Sequence, residues 1–234
     1  MKDLPYLILH IKTFENWHLF VSHTLIKAQS KEKIMLSTKN YNKSQRRSRM
    51  NYGNIKYYDI ANGEGVRTSL FVSGCTHHCK GCFNPETWDF GYGKPFTEET
   101  EKEILKSLDN ENINGLTLLG GEPMEPANQK ALLPLVKKVK ELYPDKNIWC
   151  YSGYLFDSEL LYPSRACCPW TREFLSYIDI LVDGEFKLEL KDITLRFKGS
   201  SNQRIIDVQK SLKENKVVLS PLNEKRNKNT IYYK

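Results

Sequence analysis

Four short apolar runs limit what this chain can fold into. Thr68-Ser69-Leu70-Phe71-Val72, Gly115-Leu116-Thr117-Leu118-Leu119, Ile148-Trp149-Cys150-Tyr151 and Ile178-Asp179-Ile180-Leu181-Val182 have the length and composition of buried strands. Each runs into a glycine-containing turn: Ser73-Gly74, Gly120-Gly121, Ser152-Gly153 and Asp183-Gly184. Helical patterns lie between them. Thr97, or the acids after it, can cap a helix reaching about Leu108, with Ile104, Leu105 and Leu108 on one face and Glu98, Glu99 and Glu101 at its positive end. A second helix spans about Asn128 to Leu142, with Leu132, Leu135, Val136, Val139 and Leu142 at helical spacing; Pro134 should kink it or mark its start. This alternation predicts an α/β fold with a parallel sheet, whose ligand-bearing loops lie beyond the carboxyl ends of the strands.

The loop after the first run carries the clearest chemical signal. Cys75, Cys79 and Cys82 stand at a C-x3-C-x2-C spacing. A 4Fe-4S cube has four irons, so three cysteine ligands leave one iron for a partner that is not protein. The same thiolates also suit a zinc site completed by His77, His78 or a distant residue. Closed zinc sites usually draw on a second ligand pair at similar spacing, and this sequence has no such pair. The vicinal Cys167-Cys168 would point their side chains apart in extended backbone, so the spacing favours iron and sulfur. Cys150, inside a strand, reads as a buried, inert thiol.

Charge says little about the partner of the main body. The net charge of +7 belongs wholly to residues 1–49, and the remainder is neutral. That first segment ends in Lys43-Ser44-Gln45-Arg46-Arg47-Ser48-Arg49 and reads as a basic extension, either a solvated tail or sequence outside the native protein, with Met50 as the biological start. Peptides from residues 1–49 in the native protein, found by mass spectrometry, would refute the second possibility. After Asp207 the composition turns polar, so residues 208–234 read as a tail. With neither a secretory signal nor an apolar run near the roughly 18 residues of a membrane span, the chain is expected to be cytoplasmic, with no membrane and no nucleic-acid partner.

Several motifs together resemble a known family. Asn62-Gly63-Glu64-Gly65-Val66-Arg67, the cysteine loop with Phe83 after its last cysteine, Asn84-Pro85-Glu86-Thr87-Trp88, Gly120-Gly121-Glu122-Pro123, Trp149 to Tyr154, Val182 to Phe186 and Gly199 to Arg204 are similar to the activating proteins of anaerobic ribonucleoside-triphosphate reductase. These are radical S-adenosylmethionine enzymes. The resemblance implies an incomplete, open β/α barrel over residues 50–207. It also implies one 4Fe-4S cluster held by Cys75, Cys79 and Cys82, with S-adenosylmethionine on the remaining iron. Gly81, Cys82 and Phe83 would border the nucleoside, and Gly120, Gly121 and Glu122 would lie along the methionine end. Reductive cleavage would yield methionine and a 5′-deoxyadenosyl radical, which takes a hydrogen from a glycine of the reductase. The partners implied are the glycine-bearing loop of that reductase and an electron donor such as reduced flavodoxin.

The same resemblance gives His77 a role in tuning or shielding the cluster and leaves His78 as an exposed loop residue. Arg67 and Asp183 are expected near the partner or the substrate loop, Trp88 and Trp149 recur in the pattern, and Tyr162 to Trp170 reads as a local insertion. Two alternatives stand beside this reading. One is the activating enzyme of another glycyl-radical enzyme such as pyruvate formate-lyase, against which the Gly199 to Arg204 motif and the compact body speak. The other is a zinc-stabilised module whose basic segment contacts nucleic acid.

Overall fold

The computed structural model describes residues 50–224; the basic segment 1–49 and the residues after Glu224 lie outside the described residues. Seven strands form one open, mixed sheet: β1 (Asn51–Asp59), β2 (Arg67–Val72), β3 (Lys94–Pro95), β4 (Gly115–Gly120), β5 (Asn147–Tyr151), β6 (Ile180–Asp183) and β7 (Arg204–Asp207). Their order is β3-β1-β2-β4-β5-β6-β7. The four runs picked out by sequence are the central parallel strands β2, β4, β5 and β6. The sheet as a whole is mixed, because β1, β3 and β7, which the sequence did not announce, pair antiparallel at its margins. β1 lacked a sequence signal because most of its residues are exposed or half-buried, leaving no apolar alternation to read.

Helices α1 (Glu98–Leu108), α2 (Pro126–Leu142), α3 (Thr171–Ser176) and α4 (Val208–Glu214) complete the fold. Thr97 caps α1 as expected, its side chain accepting from Thr100 N. In α2 the true start is Pro126, at the first turn where a missing N–H costs nothing, and the helix runs on through Pro134. Leu142, expected on the buried face, is exposed at the end of the helix. The chain after Asp207, read from composition as a polar tail, continues as α4. Val208 and Ser211 of that helix are buried, and Leu222 packs beside Trp149, Val182 and Ile205. Among the described residues no helix is long and apolar enough to cross a membrane.

Strand alternation sorts the sheet into two faces. Leu70, Val72, Leu116, Leu118, Ile148, Cys150 and Leu181 join Ile104, Leu108, Leu132, Leu135, Val136 and Val139 of α1 and α2 in the main core. Trp149, Val182 and Ile205 form a smaller cluster to which Tyr151, Ile180, Phe197 and Leu222 add. Arg67 also lies inside, fully buried. Its Nε donates to Thr117 Oγ1 (2.6 Å), Nη1 to Asn147 Oδ1 (2.7 Å) and Nη2 to Leu116 O (2.8 Å), with the guanidinium 5.4 Å from the centre of the Trp149 ring. Burial lowers its pKa to about 10, which still leaves it charged near neutrality. The expectation that Arg67 meets the partner or the substrate loop is therefore corrected. Arg67→Met should destabilise the fold by more than about 3 kcal/mol, because buried acceptors lose a charged donor; a urea unfolding midpoint near the wild-type value would contradict this.

Candidate functional site

The parallel register brings two loops together. Val72 pairs with Gly120, so the chain leaves β2 and β4 at one level of the sheet. Gly121 N then donates to Val72 O (2.7 Å) and Glu122 N to Gly74 O (2.8 Å). A short helical turn, Pro85–Trp88, supports the cysteine loop from the other side: Gly74 N donates to Thr87 O and Cys75 N to Trp88 O. Asn128, near the start of α2, donates to both Ser73 O (3.0 Å) and Glu122 O (2.9 Å) and ties the two loops together. Gly120 has φ +106°, and a Cβ on Gly121 would lie 2.7 Å from Gly74 O and 2.9 Å from Thr87 O. This backbone-on-backbone approach is possible only with glycine.

The loops wall a cavity of about 460 Å³, within the range of roughly 300–1,000 Å³ usual for small-molecule and cofactor sites. Cys75, Cys79, Cys82, Phe83, Gly120, Gly121 and Glu122 all line it. Gly81 alone among the expected site residues does not; it packs toward Leu188, which a Cβ there would meet at 2.9 Å. Sequence reading missed Tyr151, Ser152 and Gln203, which also line the cavity. All three sit within motifs already quoted, but nothing in residue type singled them out.

The cysteines are free thiols. Burial is the main cause that pushes Cys75 up to about 12 and Cys79 up to about 11. Such thiols stay protonated until a cation draws off their protons, so ligand binding and deprotonation are coupled. Among the described residues no three Cys, His, Asp or Glu side chains gather around a single ion position. A cube asks each cysteine to meet a different iron, and three cysteines along one cavity wall are a donor set of that kind. Cys167 and Cys168 do not line the cavity; the Cys168 thiol lies 3.4 Å from Gln129 Oε1 and from Thr171 Oγ1. Cys150 is fully buried, and desolvation raises its pKa, as expected of an inert thiol.

Glu122 is almost fully buried and its carboxylate is committed to the protein itself. Oε1 accepts from Met124 N (2.8 Å) and Oε2 from Gly153 N (2.7 Å). His77 Nε2 stands 3.2 Å from Oε2, without the alignment of a hydrogen bond. Burial works to lower the His77 pKa, but Glu122 outweighs it and the net shift is upward. Nearby, Glu125 accepts from Thr76 N (3.0 Å) and Tyr154 Oη (3.2 Å), bracing the residue after Cys75.

Phe83 is 63 % exposed beside the cavity, 5.3 Å from Phe186 between ring centres, with Lys191 Nζ 5.1 Å from its own ring centre. It is thus not a core aromatic. His78 is exposed, as expected, and rests on Trp88 at 4.8 Å. Trp88 lines the cavity, whereas Trp149 packs inside. Asp183, expected near the partner or the substrate loop, is instead fully buried and holds the start of β7: it accepts from Arg204 Nε (2.9 Å) and Nη2 (2.5 Å) and from Phe156 N (2.8 Å).

A family of 4Fe-4S single cluster domains matches residues 61–206. Among curated relatives, the chain is 47 % identical over 160 residues to the anaerobic ribonucleoside-triphosphate reductase-activating protein of Pasteurella multocida, covering 67 % of this chain and 96 % of that protein. The same-named protein of Escherichia coli is 40 % identical over 156 residues, covering 66 % of this chain and 96 % of the relative. That of enterobacteria phage T4 is 41 % identical over 157 residues, covering 67 % and 93 %. The matched family is defined by an iron–sulfur cluster, so the zinc-stabilised alternative gives way.

Proposed function

Because the chain belongs to the family of anaerobic ribonucleoside-triphosphate reductase-activating proteins, we propose that it activates that reductase by generating a glycyl radical on it. The observation that carries the reading is the shared cavity, which three cysteines and the Gly120-Gly121 turn line together at the carboxyl ends of the parallel strands. Cys75, Cys79 and Cys82 are the residues to hold the cluster, with S-adenosylmethionine as its companion. When bound, the cluster supplies the single electron that cleaves S-adenosylmethionine to methionine and a 5′-deoxyadenosyl radical, which abstracts the glycine hydrogen.

The chain's own residues bind, orient and shield. Backbone groups of Gly120 and Gly121 can approach a ligand without a Cβ in the way. Phe83 offers a ring face at the cavity, and its exposure leaves it available both to the nucleoside and to an incoming loop of the reductase. Tyr151, Ser152 and Gln203 add polar groups along the same wall. Glu122 acts at one remove, by holding the Gly-Gly turn and the Gly153 turn at a fixed spacing. The open, mixed sheet supports reading the fold as the incomplete β/α barrel of radical S-adenosylmethionine enzymes, and in this reading an external donor such as reduced flavodoxin completes the electron path.

The direct test is to incubate the reduced, cluster-loaded protein and S-adenosylmethionine with the anaerobic reductase and record electron paramagnetic resonance. A glycyl radical signal on the reductase is expected. No signal there, beside a signal on pyruvate formate-lyase, would transfer the activity to the sister class.

A further inference from the structure

The stretch Tyr162 to Trp170, between β5 and α3, lies outside the motifs quoted above, yet one of its residues reaches the cysteine loop. Arg165 Nη2 lies 3.2 Å from His77 Nδ1. Its guanidinium carbon is 5.1 Å from the centre of the Tyr154 ring, and that ring in turn stands 4.3 Å from the imidazole. On the far side of the imidazole, Nε2 faces Glu122 Oε2 at 3.2 Å. Gly153 leaves room for this arrangement: a Cβ there would lie 2.6 Å from His77 Nε2.

The chemistry of the donors orders the chain of contacts. Arginine can only donate, so the contact leaves His77 Nδ1 as an acceptor. The neutral ring then carries its proton on Nε2, the nitrogen that lies 3.2 Å from Glu122 Oε2. In the other tautomer a ring lone pair would face that carboxylate, and an N–H would face the guanidinium. Both contacts would be repulsive. His77 lies between two of the loop's cysteines, and Glu122 belongs to the Gly120-Gly121-Glu122 turn. The imidazole therefore spaces the two loops that form the cavity wall.

We propose that Arg165 is a positioning residue for the cysteine loop: by donating to His77 Nδ1 it keeps the imidazole as the Nε2–H tautomer against Glu122, and so holds the loop of Cys75 and Cys79 in register with the glycine turn. The assignment of a purpose rests on the reading that these cysteines hold the cluster. Arg165 is itself exposed. Substituting an exposed residue ordinarily changes stability little, so an effect at the cluster would not be a general consequence of unfolding.

The test uses the full chain in two states. In the metal-free protein, at a pH well above the ordinary histidine range, 15N spectra of the imidazoles report the tautomer, with His77→Asn identifying the His77 signals. The wild type should show the Nε2–H form, Arg165→Ala a mixture, and Arg165→Lys a largely restored Nε2–H form. In the cluster-loaded protein, chelator-driven cluster loss should be roughly tenfold faster for Arg165→Ala, the lower end of the range for residues that orient metal ligands. Arg165→Lys should fall between Arg165→Ala and wild type, and the urea midpoint should not move. An unchanged tautomer, or wild-type cluster loss, in Arg165→Ala overturns the proposal. Failure of the wild type to take up any cluster overturns the reading of the cysteines and with it the purpose given to Arg165, while the histidine spectra still judge the contact on their own.

Discussion

Alanine at Cys75, Cys79 or Cys82 should abolish both the normal 4Fe-4S cluster and all formation of 5′-deoxyadenosine. Each of the three thiols is a ligand in the reading above, and no other cysteine is within the cavity wall to replace it. Cys150 is enclosed on the helix-covered face of the sheet, and Cys168 is engaged with Gln129 and Thr171. Cys167→Ala and Cys168→Ala, singly or together, should therefore keep wild-type iron content and activity. Iron and sulfide analysis after anaerobic reconstitution, with chromatographic measurement of 5′-deoxyadenosine, separates the two groups. Retained activity in any member of the first group would contradict the ligand assignment. Loss of activity in the Cys167/Cys168 pair would show that the segment between β5 and α3 contributes directly to the chemistry.

The second large effect is expected at Glu122. Its carboxylate accepts from Met124 N and from Gly153 N, the latter at the cavity, and the residue is almost fully buried. Glu122→Ala strands one buried and one half-buried N–H group that were bonded to a charged acceptor, at roughly 1.5–3 kcal/mol each. For a domain of this size, about 3–6 kcal/mol corresponds to a fall in Tm of roughly 6–24 °C. Glu122→Gln preserves shape but turns one acceptor into a donor, so it strands one N–H and should cost about half as much. Activity should fall with both variants, because the Gly-Gly turn and the His77 contact lose their common anchor. Differential scanning calorimetry decides the point: a Tm for Glu122→Ala within about 2 °C of wild type would mean that the carboxylate bears no such load.

These expectations show which parts of the protein were legible in residue order. The four central strands announced themselves because parallel strands buried on both faces read as short apolar runs. Thr97 as the cap of α1 was legible for a local reason, since capping involves residues only three apart. β1 and β7 were not: β1 is largely solvated, β7 is four residues long, and pairing at a sheet margin depends on where the neighbouring strand happens to lie. Arg67 and Asp183 were misread for a related reason. A charged residue at a strand end looks the same in sequence whether it faces a partner or a buried network of Thr117, Asn147 and Leu116, or of Arg204 and Phe156.

By itself, then, the sequence determined the chemical equipment: three thiols at a spacing that one loop can present, a glycine pair ending the next strand, and an α/β order that sends both to the same side of a sheet. Each of these is a matter of short chain separations, where covalent geometry and local propensity decide. Only the tertiary structure decided that Val72 lies level with Gly120, that Glu122 turns inward to backbone amides, and that Arg165 closes on His77 from 88 residues away. Contacts over such separations form when the packed sheet brings their backbones together, and the identity of the residues alone does not encode that distance.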